Sequence, residues 1–341
     1  MRILFLTIGD ETIASSRVRV YGYLPFLAGE GIGYRILIFT SKAKCRRILT
    51  LKKDNFLQHI FEIFYKIYII AKLLVLSKKY EIVYVQKVIL PKALWKILRK
   101  LNKRVIFDFD DAIYIYKDIS YLLKDAACVV VSNKILKERA LGYNKRIYEL
   151  ISPVSVNKRF PAPKDGSVTL GWIGSPETSR YLLPLMPVFR DLKEKFENLE
   201  IEFMGVAPNK DFALLNIGIK DWSLEAEKEY LKRLAVGIMP LKDDEWSRSK
   251  AGYKLLLYMS RGIACVASPV GINMKIIENG KSGFFATSKD EWFERLSVLL
   301  KDAKLRGKIA ERGRIRAKEH FSYDKVFPKF LEILYLTENS T

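Results

Sequence analysis

The chain has 341 residues, 49% of them apolar, with 12 Pro and 19 Gly: enough to bury one or two cores, and unlike a disordered or fibrous protein. Lys and Arg number 59 against 38 Asp and Glu, a formal +21 that points to a polyanionic partner such as nucleic acid, an acidic membrane surface or phosphorylated substrates. Only His59 and His320 are present, and Cys45, Cys128 and Cys265 lie far apart, which argues against paired-histidine zinc sites, zinc ribbons and disulfide frameworks and fits a reducing cytosol.

The apolar run 3–8 is too short for a signal-peptide core or a membrane span and reads as a buried first strand. Helical periodicity at 17–28 leads to a second strand at 34–39. The greasiest stretch, 56–76, is interrupted by Gln58, His59, Glu62, Lys66 and Lys72, a poor transmembrane pattern but a reasonable amphipathic or half-buried helix. Strands at 82–85, 105–107, 128–131 and 146–150 then alternate with helices at 92–101 and 134–140. Such alternation specifies a parallel sheet with helices on both faces.

The stretch 152–167, with three prolines and little periodicity, reads as a linker. Alternation then restarts, with strands at 169–173, 200–204, 236–239 and 264–267 and helices at 177–196, 225–234 and 253–260. Two α/β units of comparable size therefore follow one another, each opening with a strand, a polar turn and a helix, where open parallel sheets bind ligands. Beyond Ser288 the pattern is helical, ending in an amphipathic segment at 323–335 placed to pack back over both units. Charge is split unequally: 30 basic and 13 acidic residues fall in 1–163, a net +17, against 29 and 25 in 164–341, a net +4. Between Lys42 and Arg104 stand 17 basic residues and three acids, interleaved with aromatic and aliphatic side chains. A solvated helix face is the ordinary reading of such a run, but one so lopsided favours an acidic surface partner.

The first strand is not followed by a G-x-G-x-x-G fingerprint; Ser15 and Ser16 instead suggest a helix cap, with Arg17 nearby to hold an anionic oxygen. Asp108, Asp110 and Asp111 crowd the end of a strand in a basic domain, which is costly unless they are paired or used. They can pair with Arg17 or Arg19, or orient a substrate hydroxyl; a metal needs further ligands that the sequence does not offer. In the second half, Gly171-Trp-Ile-Gly174-Ser175 leads into a helix start that could seat a phosphate. Lys250, Gly252, Tyr253 and Lys254 combine close backbone approach, a helix N-terminus and two cations four residues apart, which suits a diphosphate.

At these residues the sequence resembles the retaining glycosyltransferases of family 4. The marks are Gly237-Ile-Met-Pro240-Leu241, Lys250-Ala-Gly-Tyr-Lys254 through Met259 and Gly262, Ser268-Pro-Val270-Gly271 and Asn279-Gly-Lys-Ser-Gly283; Ser16-Arg17, the aspartate run and Arg312-Gly-Arg314 add to them. The resemblance implies the α/β GT-B fold, two facing Rossmann-like domains with a C-terminal helical tail. It implies an acceptor domain at 1–163, a nucleotide-sugar donor domain at 164–320 and a helix at 321–341 packing back across them. By position, Gly174, Ser175, Lys254, Gly252 and Tyr253 would face the donor diphosphate. Pro240, Leu241, Val270 and Gly271 would line the nucleotide-sugar pocket, and Ser16 and Arg17 the facing loop. One departure stands out: the family's two glutamates eight apart are Ser249 and Leu257 here, with Glu245 a candidate replacement.

The expected chemistry is transfer of a sugar from a nucleotide-diphosphate sugar to a glycan acceptor, free or lipid-linked, with retention of configuration and without cofactor or metal. Lys254 stabilises phosphate charge and Asp110 or Asp111 orients the acceptor hydroxyl, there being no activated Ser, Cys or His in the pattern. Alternatives are a nucleotide-sugar epimerase of the same fold and a non-enzymatic peripheral membrane protein. No RNA-binding aromatic signature is present, so nucleic acid is not expected as a partner. The basic block favours a cytoplasmic protein docked on the inner face of the membrane.

Overall fold

The computed structural model describes residues 1–50, 52–156 and 168–339. Six strands, β1 (Arg2–Thr7), β2 (Gly33–Ile38), β3 (Ile82–Gln86), β4 (Val105–Phe109), β5 (Cys128–Val131) and β6 (Ile147–Glu149), form one sheet in the order β2-β1-β3-β4-β5-β6. Six more, β7 (Val168–Ile173), β8 (Leu199–Met204), β9 (Gly218–Lys220), β10 (Leu234–Met239), β11 (Ala264–Ala267) and β12 (Phe284–Phe285), form a second in the order β12-β11-β10-β7-β8-β9. All pairings within the two sheets are parallel. Central strands are covered on both faces, which is why they read as unbroken Val, Ile, Leu and Phe runs. The chain has the GT-B architecture of two facing Rossmann-like domains, with a helical tail of Ala303–Phe321 and Tyr323–Glu338.

In each sheet the strand order reverses beside its first strand, between β1 and β3 and between β7 and β10. At such a switch point the flanking loops diverge and leave a crevice at the carboxyl ends of the strands. The tail returns to the first sheet: Phe330 stacks on Tyr23 with centroids 4.3 Å apart, and Tyr323 donates from its hydroxyl to the Val18 carbonyl at 3.1 Å. Val154, entering the linker, pairs in a β-bridge with Ser322. The predicted linker has no regular structure at 152–156 apart from that bridge, and its remainder, 157–167, lies outside the described residues.

Three readings of the sequence need correction. The helix expected at 17–28 is a helix Ala14–Arg19, a 3₁₀ turn Tyr21–Tyr23 and a second helix Leu24–Gly29, since Pro25 lacks the N–H that would continue a single helix and sits in the first turn of a new one. The helix expected at 177–196 runs as 3₁₀ over Pro176–Leu185 and is α-helical only over Met186–Lys195; Pro184 and Pro187 remove donors around the junction. Strands β9 and β12, three and two residues long, are too short to leave an alternation signal.

Candidate functional site

The carboxyl ends of the two sheets border a cleft of about 400 Å³. On the first-domain side, the helix Ala14–Arg19 starts after Ile13, two residues earlier than a cap at Ser15 requires. Ser15 and Ser16 therefore lie inside its first turn, and their hydroxyls bond neighbouring strand ends instead of capping. The Ser15 hydroxyl donates to Asp110 Oδ2 at 2.7 Å and accepts from Gln86 Nε2 at 2.8 Å. Ser16 is fully buried behind it, donating to Gln86 Oε1 at 3.1 Å, and is not among the residues lining the cleft.

The three aspartates separate into two roles. Asp108 lies within β4, not at its end, and is fully buried against Arg19 at 2.9 Å with the Tyr84 hydroxyl also bonded to it. Asp110 and Asp111 follow the strand and line the cleft, both ion-paired with Lys87, whose Nζ is 2.8 Å from Asp110 Oδ1. Burial raises the Asp110 carboxyl, but the charge and hydrogen bond of Lys87, with the Ser15 hydroxyl and the Arg19 charge, together hold the group below the usual carboxylate range. Lys87 was not legible as a site residue; only its position just after a strand marks it, and that strand was predicted at 82–85.

Arg17 lines the cleft and reaches into the second domain, 3.5 Å from Glu227 Oε2 and with its guanidinium carbon 5.2 Å from the centre of the Trp222 ring. Trp222 Nε1 donates to the same Glu227 oxygen at 2.8 Å. On that second-domain side Gly174, Ser175, Lys250, Gly252, Tyr253 and Lys254 are brought together on one wall. The helix carrying Lys254 spans Tyr253–Ser260, with Gly252 as its left-handed N-cap at φ 69°, so Lys250 precedes the helix instead of sharing its face. Lys250 Nζ lies 5.1 Å from the Trp246 ring centre and Lys254 Nζ 5.1 Å from that of Trp172. A Cβ on Gly174 would lie 2.7 Å from Lys254 Cε, so the glycine leaves room for the lysine stem. Burial, then the neighbouring Lys250, push the Lys254 amine down to about 7, with Asp111 acting in the opposite sense.

Pro240, Leu241, Val270 and Gly271 are not among the residues lining this cleft; Met239 is. They form its support: Leu241 N–H donates to Ser268 Oγ at 3.0 Å, and Gly271, at φ 56°, packs against the Arg248 backbone. A Cβ on Gly271 would lie 2.3 Å from the Arg248 carbonyl oxygen. Gly271→Ala is therefore expected to cost about 1–3 kcal/mol in urea unfolding, and an unchanged midpoint would refute the close approach. Leu257 lines the cleft, while Ser249 is buried and its carbonyl accepts from Asn133 Nδ2 of the first domain at 2.8 Å. The exposed Glu245 is not on the wall; the second domain's carboxylates there are Glu177 and Glu227. Among the described residues no group of three His, Cys, Asp or Glu could hold a metal ion.

Residues 168–302 match the family model described as Glycosyl transferases group 1. No curated protein matches the chain. Among solved structures, HepE of Anabaena in complex with UDP-glucose aligns with a TM-score of 0.72 and 13% identity over 98% of this chain and 100% of its own. A glycosyltransferase of Rickettsia africae gives 0.71 and 13% over 100% and 99%, and the lipopolysaccharide outer core galactosyltransferase WaaB gives 0.64 and 14% over 98% and 99%. The match favours neither an epimerase nor a non-enzymatic protein. With a group 1 glycosyltransferase domain set in a GT-B chain, the protein is a glycosyltransferase.

Proposed function

We propose that the enzyme moves a sugar from a nucleoside-diphosphate sugar to a glycan on a lipid carrier, with retention of configuration, at the cytoplasmic face of a membrane. In this reading residues 1–163 receive the acceptor, 164–320 hold the donor and 321–341 tie the two together. The observation that carries it is the facing of two unlike walls across one cleft: cations and a helix N-terminus on the second-domain side, and the ordered Asp110 and Asp111 on the first. Lys254, Lys250 and the N–H groups after Gly252 stabilise charge on the departing diphosphate. As the bond from the anomeric carbon to phosphate breaks, the acceptor oxygen bonds to that carbon from the same face, and its proton passes to the leaving phosphate oxygen. Arg17 is placed to meet the donor from the opposite wall, and Gly174 and Ser175 to meet its phosphates. HepE, solved in complex with UDP-glucose, and WaaB, a lipopolysaccharide outer core galactosyltransferase, support a nucleotide-sugar donor and a glycan acceptor here.

A thermal-shift panel of nucleoside diphosphates and their sugars tests the donor half. At a hundredfold excess over Kd, one of them should stabilise the fold by about 2.7 kcal/mol. Silence across the panel would overturn the reading.

Membrane docking is supported by the helix Phe56–Ser77. Glu62, Ile69, Leu73 and Ser77 bury one face, yet Leu57, Phe61, Phe64, Tyr68 and Val75, at helical spacing on the other, are all at least 56% exposed. The acids of this block are engaged: Asp54 pairs with Lys44 and Arg47, Glu81 with Arg2, and Glu62 accepts from Ser41. That leaves exposed Lys42, Arg46, Lys52, Lys53, Lys78 and Lys79 around an apolar stripe, while Ile48 and Leu49 of the preceding helix Lys42–Leu49 line the cleft. No helix among the described residues is long and apolar enough to cross a membrane, so the stripe suits the bilayer interface. Phe61→Ser with Phe64→Ser is expected to lower co-sedimentation with anionic vesicles at least tenfold, as burial of each ring contributes about 1.5–3 kcal/mol. Added salt should weaken wild-type binding; vesicle binding indifferent to both changes would exclude this face.

A further inference from the structure

Among the described residues, Lys87 is the one cleft cation anchored on the first sheet that the proposed transfer leaves without a task. It follows β3 directly and stands at φ 59°, a left-handed conformation that glycine or asparagine takes with little cost and lysine does not. Backbone strain of this kind persists where the surroundings over-determine it. Here they do so twice: the Lys87 N–H donates to the Asp108 carbonyl at 2.7 Å, and its Nζ holds Asp110 and Asp111 together. One residue thus grips, through backbone and side chain, the strand end that carries both acids. Ser15 fixes the second Asp110 oxygen, so this carboxylate is held from two sides, with its side chain 10% exposed, while that of Asp111 is 24% exposed.

We propose that Lys87 is a positioning residue for sugar transfer: it holds Asp110 and Asp111 as one rigid pair of carboxylates, with Asp111 presented to the acceptor hydroxyl and Asp110 serving as its brace. This rests on the glycosyl-transfer reading and adds a device to its acceptor half. Lys87 keeps its own proton throughout, because two carboxylates outweigh the cost of burying its charge. The charged groups around the pair are few. Arg19 and Asp108 stand behind Asp110, Lys254 senses Asp111 across the cleft, and Arg17, on the Ser15 helix, is turned to Glu227. Lys87 is therefore the ion-pair partner that contributes most to keeping Asp110 ionised as pH falls.

The test compares Lys87→Met and Lys87→Arg with wild type, using the nucleotide sugar that stabilises the protein most in the panel and water as the acceptor. In Lys87→Met, affinity for the corresponding nucleoside diphosphate should stay within twofold, kcat for donor hydrolysis should fall at least tenfold, and the acid limb of the pH profile should rise by about 1–3 pH units. Lys87→Arg should restore most of the rate. An unmoved rate and limb overturns the proposal; so does a loss of nucleotide affinity with kcat intact, which would make Lys87 a donor ligand. A rate that falls with thermal stability while the limb stays fixed leaves only a structural role and also overturns it. Should no nucleotide sugar bind wild type, the transfer reading fails by itself. The ¹³C titration of the Asp110 carboxyl carbon, assigned with Asp110→Asn, then decides Lys87 separately: a midpoint raised in Lys87→Met, or in Lys87→Gln if Met does not fold, upholds the brace, and an unchanged one overturns it.

Discussion

Lys254→Met is expected to reduce turnover of the nucleotide-sugar donor at least a hundredfold while making the empty protein more stable. The first effect follows from position: the amine lies on the cleft wall beside the left-handed cap at Gly252, and it sits where diphosphate charge would develop. Removing one preorganised donor of this kind typically costs about 10²–10³ in rate. The second follows from the amine's environment, which pushes it down to about 7 by burial and by Lys250. An unfolded lysine titrates near 10.4, so between about pH 7 and 10 the unfolded chain binds a proton that the folded chain does not. The resulting penalty is full below about pH 7 and fades as pH rises toward 10. Lys254→Met should thus raise Tm by a few degrees at pH 6 and by less at pH 10. A bound diphosphate supplies the missing counter-charge, so the wild-type complex should take up a proton when formed at pH 8, seen as a buffer-dependent heat in calorimetry, and affinity should weaken above about pH 7. Turnover within a few-fold of wild type, or affinity flat from pH 6 to 9, would refute the phosphate role.

The parts of this fold that were legible are those where one physical signal dominates. Ten of the twelve strands show through because strands buried on both faces are forced to be continuously apolar, as at 105–107 and 264–267, whereas the short β9 and β12 do not. The eight-residue helix at 253–260 was also placed correctly, since Gly252 and Gly262 punctuate it. The site was less legible because its residues are joined by long-range pairings that leave no periodicity. Asp108 and Asp110 are two residues apart and look alike in sequence, yet one is sealed against Arg19 and the other lines a cleft. Lys87 acts from a different strand end, 23 residues before Asp110, and only its place just after a strand marks it. Pro240, Leu241, Val270 and Gly271 were placed at the pocket by their motif; in the structure they stand outside the cleft lining, Leu241 bonded to Ser268 and Gly271 packed on the Arg248 backbone. Motif position identifies which loops meet; which side chain on the loop faces the ligand is decided by packing.

Arg19→Met should be the most destabilising single change in the first domain, costing about 3–5 kcal/mol in urea unfolding. Arg19 and Asp108 have no exposed side-chain surface, and the guanidinium spans the domain: Nε and Nη2 bond Asp108 on β4, and Nη1 bonds the Leu150 carbonyl just beyond β6. Burial pulls the Arg19 pKa down, but Asp108, with Tyr84 and Tyr23 beside it, more than offsets this and keeps the group charged. Replacing Arg19 by methionine fills the space but leaves Asp108 held by the Tyr84 hydroxyl alone, a buried carboxyl without its counter-charge. The pair as a whole is another matter. Two ions taken out of water recover the cost of desolvation only through each other, so Arg19→Met combined with Asp108→Leu should be less damaging than Arg19→Met alone, giving a coupling energy of several kcal/mol in the double-mutant cycle. Additive losses would show that the two side chains act independently. Because Asp108 lies two residues before Asp110 and its carbonyl receives the Lys87 N–H, the single variant should also disorder the first-domain wall of the cleft, lowering donor hydrolysis more than nucleotide affinity. Nucleotide affinity lost as steeply as hydrolysis would instead mean that the damage spreads to the second domain and that this ion pair supports more than the sheet in which it is buried.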